Sequence, residues 1–524
     1  MSGTETARSN TLYSLMTTLF TTRRFVLLLA TTTLATYALL ATGAALATTD
    51  AGSACGTWPL CTDGIASPID PTLIAVLGHR LLAGLVGLLL ALTTLGAWKT
   101  EASRRTRIAI SGGVVLFVIQ VGVGGLVVVT GEPVAGRAHL AIAAVLFTAL
   151  LAALGWMLEG ESTTERTTPA VGEPSPSSTT ESKPSASAGG LSSATTGEPP
   201  SVAASEPSST FASEPVSNPT RANAERSTRA RLRSRGRSYL ELTKPRLMWL
   251  LCLLALAGMA LATTTGQWPD GVTVVATLAG GVLATGASGA FNHAYERDRD
   301  QQMLRTADRP VATDQVSAAR ATLFAFSLAV LSMVVLVTLV SLLVAALTLV
   351  AIVYYSVLYT VVLKPNTTWN IAIGGGSGAL PAVIGWAAVT GSVGLPAIVL
   401  ALIVVVWTPA HFYNLAIVYR DDYARAGYPM FPVVSGVSAA RRRVLLTLGG
   451  TLVMTTMLGL VTPLGWLFTL STITAGGLFL GTTVVQCRRR TDRSTLRTFH
   501  ASNAYLGVVL LAIVAEALVV GLRP

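Results

Sequence analysis

The sequence predicts an all-α protein that crosses a membrane about thirteen times. Three observations carry that expectation. Of 524 residues, 51% are hydrophobic and 12% charged, about half the charged share of a soluble domain, and the mean hydropathy is +0.59. The apolar residues come in runs long enough to span a bilayer as helices. Arg and Lys gather in alternate loops between those runs, as membrane orientation requires. The formal charge of +11 follows that loop pattern, and the chain carries no nucleic-acid-binding module, so nucleic acid is excluded as a partner.

Two hydrophobic blocks flank a polar one. The first block, residues 1–158, holds four spans, at about 25–47, 72–98, 108–130 and up to Leu158. The first follows Arg23-Arg24 and lacks a small-residue cleavage site, so it reads as a helix and not as a removed leader. The loop after it, GSACGTWPLC, holds Cys55 and Cys61. Residues 159–237 are rich in Ser, Thr, Pro, Ala and Glu and lack apolar periodicity. Such a composition buries too little surface to offset the entropy of ordering, and predicts a disordered linker. Its basic end, 221–237, suits anionic headgroups.

The second block, 238–524, holds nine spans, at about 247–265, 271–292, 316–338, 342–363, 370–389, 393–414, 441–462, 464–486 and 500–521. The third and fourth are divided only near Val340-Ser341. With Arg23-Arg24 in the cytosol, alternation places the loops at 99–107, 221–246, 294–310, 415–443 and 487–497 there too, and all of them are basic. The loops at 48–71, 131–136, 266–270, 390–392 and 463 fall outside and carry no Arg or Lys. The expectation is a multi-pass protein of the plasma membrane with a cytosolic N-terminus and linker, and an external C-terminus.

Chemistry concentrates at 292–310, NHAYERDRDQQMLRTADRP. Asn292, Glu296 and Asp300 are four apart, and on a helix each step of four overshoots one turn by only about 40°. Three oxygen-bearing groups on one face suit Mg²⁺, which keeps several waters and shares its shell with substrate phosphates. Arg305 and Arg309 follow and can neutralise phosphate oxygens. A second charged stretch ends the sixth span of the block, with Asp421 and Asp422 in YRDDY. Both stretches are expected at the same aqueous edge, where they suit a diphosphate leaving group on an apolar, allylic tail. Lys244, Arg246 and Lys364 are further candidate diphosphate clamps, and His411 a candidate substrate contact.

Four stretches carry a resemblance: LTKPR at 242–246, the motif at 292–310, LKPNTTWNIAIGGGSGALPAVIGW at 363–386, and TPAHFYNLAIVYRDDYARAGYPMFPV at 408–433. With these, the second block resembles the UbiA-type intramembrane prenyltransferases, and within them the heme o synthase branch. The resemblance implies nine helices around a cavity, Mg²⁺ at the acidic stretches, and transfer of a farnesyl group from farnesyl diphosphate to a vinyl group of protoheme IX. Alternatives are another acceptor, such as a quinone precursor or a lipid, or a non-enzymatic heme-delivery module.

In the first block, His79 and His139 lie at similar depth in two spans that enter from the same side, a placement suited to heme ligation. HRLLAGLVG at 79–87, QVGVGGLVVVTG at 120–131, RAHLAIA at 137–143 and CGTWPLC at 55–61 resemble one half of a heme A synthase. The resemblance implies a heme-bearing redox module, with Cys55 and Cys61 able to form a disulfide, and a homodimer is one way to complete the missing half.

Overall fold

The computed structural model describes residues 21–48, 57–58, 71–100, 102–164 and 233–522. Cys55, Cys61 and most of the expected linker lie outside the described residues. Among those described, thirteen helices are long and apolar enough to cross a membrane, four before the linker and nine after it. They are α1 (Thr22–Ala47), α2 (Pro71–Lys99), α3 (Arg104–Thr130) and α4 (Pro133–Thr164) in the first group. The second group is α5 (Pro245–Thr263), α6 (Gly271–Tyr295), α7 (Ala318–Leu339), α8 (Leu342–Asn366), α9 (Asn370–Thr390), α10 (Leu395–Val418), α11 (Val437–Val461), α12 (Trp466–Arg489) and α13 (Asp492–Gly521). The chain is a multi-pass membrane protein.

The expected break between α7 and α8 is present. Ser341 caps α8 by accepting from the Val344 N–H at 3.2 Å, which satisfies one of the orphan donors of the first turn. The largest boundary difference is in the last helix. The last helix starts at Asp492, not near residue 500, because Thr491 caps it through the Ser494 N–H at 3.2 Å. Its first two turns are too polar for the hydrocarbon and were therefore invisible to a hydropathy reading. His500 thus stands inside α13 and does not open it.

In the first group each helix packs on the next, and α4 returns to α1. Thr32 and Thr93 share a hydrogen bond of 2.8 Å between α1 and α2, a polar link of the kind that joins helices in lipid. In the second group α5 crosses α9 at very short range. A Cβ on Gly258 would stand 2.2 Å from the Ala382 carbonyl oxygen, and one on Gly385 would stand 2.0 Å from that of Ala255. Only glycine at both positions permits this approach. Helix α6 pairs with α7, where Ser332 donates to the Gly280 carbonyl at 2.8 Å. Helix α10 packs on α9, α11 and α13, and α13 closes back onto α5.

The two groups are in contact. Helices α1 and α4 lie against α11 and α12, and one buried apolar cluster runs through both, from Phe25, Tyr37 and Leu151 to Leu445, Phe479 and Tyr505. Leu151 fills the space left by the missing side chain of Gly449. At the rim Arg442 reaches Glu159 at 3.4 Å.

Candidate active site

The site is built where α6 ends. Glu296 caps the helix, and the Glu296 N–H still donates to the Asn292 carbonyl at 2.9 Å. The Asp300 N–H then donates to Glu296 at 2.8 Å across a short helix, Arg297–Asp300. The four-residue spacing therefore survives the break, and Asn292, Glu296 and Asp300 are each 3% exposed.

Each of the three meets one cation. Lys244 Nζ donates to Asn292 Oδ1 at 2.5 Å, Lys364 Nζ to Glu296 Oε1 at 2.5 Å, and Arg309 Nη1 to both Asp300 oxygens at 3.0 and 2.8 Å. Charge-assisted bonds of this kind are the strong ones, and they satisfy groups that could not be buried alone. Burial, then the positive charge of Arg309, pushes the Lys244 ammonium down to about 8. For Glu296 burial acts upward, but Lys364, Lys244 and Arg309 together hold the carboxyl below its usual range.

Lys244 reaches this position through an uncommon backbone. Its φ is 56°, a region that side chains other than glycine rarely enter, and one often found at functional sites. The turn before it rests on α6: a Cβ on Gly289 would stand 2.8 Å from the Leu242 carbonyl oxygen.

The second stretch divides its two acids. Asp422 is buried and accepts from the Leu304 and Arg305 backbone N–H groups at 3.3 and 3.1 Å, while Arg425 pairs with it. Asp421 turns outward, its side chain 83% exposed and paired with Arg420. Asp422 thus ties the loop after the first motif to the end of α10, and Asp421 stands outside the cluster. Arg305 donates to the Tyr423 hydroxyl at 3.3 Å and lies 5.0 Å from the Tyr419 ring centre. Arg246 is exposed on the first turn of α5. His411 is held away from the cluster, stacked between Trp407 and Phe499 at 4.4 Å each, with Nδ1 2.7 Å from Ser502 Oγ.

Sequence reading missed the tyrosines. Tyr354–Leu363 within α8 is a π-helix. From it the Tyr355 hydroxyl accepts from Lys244 at 3.4 Å, and the Thr360 hydroxyl accepts from Asn292 Nδ2 at 3.5 Å. The Tyr359 ring lies against Gly374, where a Cβ would meet it at 2.3 Å. Tyr428 presents its ring to Lys364 at 4.5 Å and to Arg299 at 4.7 Å. The usable signal was three tyrosines in a run otherwise apolar, just ahead of Lys364.

An apolar cavity of about 180 Å³ opens beside Lys244 and Tyr355 and continues between α5, α6, α8 and α9 past Met248, Cys252, Thr277 and Ile384. Thr277 and Gly289 both line it and are twelve residues apart on α6, so the cavity reaches roughly 18 Å along that helix. A charged cluster at the mouth of an apolar cavity fits an amphiphile with an anionic head. Among the described residues no three His, Cys, Asp or Glu converge tightly enough to enclose a metal. The donors present fit Mg²⁺ all the same, because that ion takes one or two carboxylates and completes its shell with water and phosphate oxygens.

In the first group, His79 Nδ1 lies 3.2 Å from Thr42 Oγ1, and its ring lies on Gly43, where a Cβ would stand 3.0 Å away. The His139 ring lies on Gly124 in the same way, at 2.9 Å. They are the ninth and seventh residues of α2 and α4, so their depths differ by about 3 Å. Trp58 covers the same end, against Gly125, and Arg80 donates to the Thr57 carbonyl at 3.1 Å. Arg137 is exposed.

Comparison with known proteins finds a match in each group of helices. A model of the UbiA prenyltransferase family matches residues 251–507, and one described as cytochrome oxidase assembly protein matches residues 5–151. Protoheme IX farnesyltransferase 2 of Natronomonas pharaonis is 47% identical, over 95% of this chain and 100% of its own. Protoheme IX farnesyltransferase of Haloarcula marismortui is 43% identical, over 95% and 99%. Protoheme IX farnesyltransferase 1 of Saccharopolyspora erythraea is 39% identical over 54% of this chain and 90% of its own. Among solved structures, a UbiA homolog from Archaeoglobus fulgidus bound to GPP and Mg²⁺ is similar with a TM-score of 0.41 and 16% identity, over 53% of this chain and 99% of that one.

Proposed function

We infer the reaction from the family to which this chain belongs, the protoheme IX farnesyltransferases, which are UbiA-type prenyltransferases. The chain is a prenyltransferase, and it transfers a farnesyl group from farnesyl diphosphate to a vinyl group of protoheme IX. The observation that carries this reading onto particular residues is the buried row Asn292, Glu296 and Asp300, each facing a cation, at the mouth of an apolar cavity.

Asn292, Glu296 and Asp300 would hold Mg²⁺, which neutralises diphosphate oxygens and improves the leaving group. Lys244, Arg305, Arg309 and Lys364 clamp the diphosphate. Asp422 acts at one remove, by fixing the Leu304–Arg305 loop. The farnesyl tail lies in the cavity between α5, α6, α8 and α9, which keeps water from the allylic cation formed when the C–O bond breaks. The vinyl group of the heme supplies the electron pair for the new C–C bond, and water then adds a hydroxyl and releases a proton.

We further propose the division into 1–158, 159–237 and 238–524, with both motif stretches facing the cytosol and the C-terminus outside. His79 and His139 ligate heme in the first domain, where each ring packs against a glycine of a neighbouring helix, Gly43 and Gly124. That domain either oxidises the prenylated heme, as a homodimer or alone, or receives it for delivery.

The test is a pigment analysis. The chain is expressed in a host that makes protoheme but no heme o or heme a, and the extracted hemes are separated by mass. A farnesyl-hydroxyethyl heme is expected, lost with Asp300→Ala. Protoheme alone, from folded protein supplied with Mg²⁺ and farnesyl diphosphate, would turn the reading to another acceptor or to a carrier. A further formyl product would assign oxidation to the first domain.

A further inference from the structure

The π-helical segment of α8 contains no glycine or proline, and Pro365 follows it by two residues. Its effect lies in register. On an α-helix successive residues turn by about 100°, so Thr360 would stand about 140° and Lys364 about 180° from Tyr355. The three could not then face one neighbour. A π-helix closes its hydrogen bonds from i to i+5 and brings the residue five positions on back over the first. Accordingly Tyr355, Thr360 and Lys364 all meet the same strip: Tyr355 through Lys244, Thr360 through Asn292, and Lys364 through Glu296.

Within this arrangement the hydrogen bonds have a direction. An ammonium only donates, so the Asn292 atom 2.5 Å from Lys244 Nζ is its oxygen. The amide nitrogen therefore faces Thr360 Oγ1 at 3.5 Å. The Thr360 hydroxyl gives its own proton to the Tyr355 carbonyl at 2.9 Å, five residues back, and so keeps a lone pair for Asn292. Tyr355 also lies where the charged cluster meets the cavity.

We propose that the π-segment sets the register of the active site, and that Thr360 is the positioning residue that keeps the Asn292 amide oxygen turned toward the metal and diphosphate. Without the Thr360 hydroxyl only Lys244 holds the amide, and once Lys244 turns to the diphosphate the amide can rotate and present its N–H₂ to a cation, which repels it. The proposal rests on the prenyl-transfer reading above.

The experiment uses the full chain in detergent, with Thr360→Val, which keeps the shape and removes the hydroxyl, and Thr360→Ser, which keeps the hydroxyl. Farnesyl diphosphate binding is titrated calorimetrically at stepped Mg²⁺ concentrations, and melting is followed in EDTA. The expected result for Thr360→Val is an apparent Mg²⁺ affinity about tenfold weaker, the usual cost of losing a group that orients a metal ligand, with melting in EDTA unchanged. Thr360→Ser should restore the affinity to within about twofold of wild type. Wild-type Mg²⁺ dependence in Thr360→Val, or equal loss in both variants, would overturn the proposal while leaving prenyl transfer standing. A wild-type chain that binds no farnesyl diphosphate with Mg²⁺ would overturn both.

Discussion

At the scale of single residues, the two adjacent aspartates give a sharp contrast. Asp422 accepts two backbone N–H groups and an Arg, whereas Asp421 faces solvent. Asp422→Asn should lower stability by about 1.5–3 kcal/mol, the range for hydrogen bonds to a charged group, and raise KM for the prenyl diphosphate. Asp421→Asn should stay within about 0.5 kcal/mol, as exposed substitutions do. Thermal melting and a prenyl-transfer assay on the two variants check this. A second contrast concerns Gly289, against which the Leu242–Thr243 turn rests. Gly289→Ala would push that turn and displace Lys244. KM for farnesyl diphosphate should rise about tenfold or more, since small misplacements of positioning groups are costly, while heme binding, followed by absorbance, stays unchanged.

The residue scale also separates what the sequence reveals from what it hides. The row Asn292, Glu296 and Asp300 is legible because four-residue spacing fixes a face whatever the tertiary structure. The split between Asp421 and Asp422 is not legible, since two adjacent residues at a helix end diverge according to the turn that follows. That turn is set by Tyr419 and by Gly427 at φ 67°. His411 illustrates the same limit. Its place beside a charged motif made it a substrate candidate, but its direction is decided by Phe499 and Ser502, about ninety residues further along.

At the scale of elements, hydropathy located all thirteen spans and the break at Val340-Ser341. It failed where polarity and helicity part company, as in the first two turns of α13. It was also blind to the π-segment, because a run of high hydropathy reads alike whether its bonds close at four residues or five. The crossing of α5 and α9 offers a test. Gly385→Ala would place a methyl 2.0 Å from the Ala255 carbonyl oxygen, and overpacking of this kind costs about 1–3 kcal/mol. The melting midpoint in detergent should fall, and since both helices line the cavity, turnover should fall with it.

At the scale of the whole molecule, the linker and the interface have separate roles. Helices α1 and α4 pack on α11 and α12 through a shared apolar cluster, so attachment of the first bundle does not depend on the connecting polypeptide. Deleting residues 169–219 should leave prenylated heme formation within about twofold of wild type, since loop length has only a small effect on closure entropy. Loss of all product from the deleted chain would refute that independence.

The pairing of each buried acid with its own cation has a consequence for how the site is switched on. Lys364 neutralises Glu296 and Arg309 neutralises Asp300, so either ion alone is attracted only weakly. A divalent cation arriving alone must displace positive side chains that then have no partner. A diphosphate arriving alone must draw those side chains from acids that then face each other unscreened. Both penalties vanish when the two arrive together. The site therefore works as a coincidence detector: each ligand should tighten the other by the same factor, as linkage requires, and inorganic phosphate without metal should be ignored.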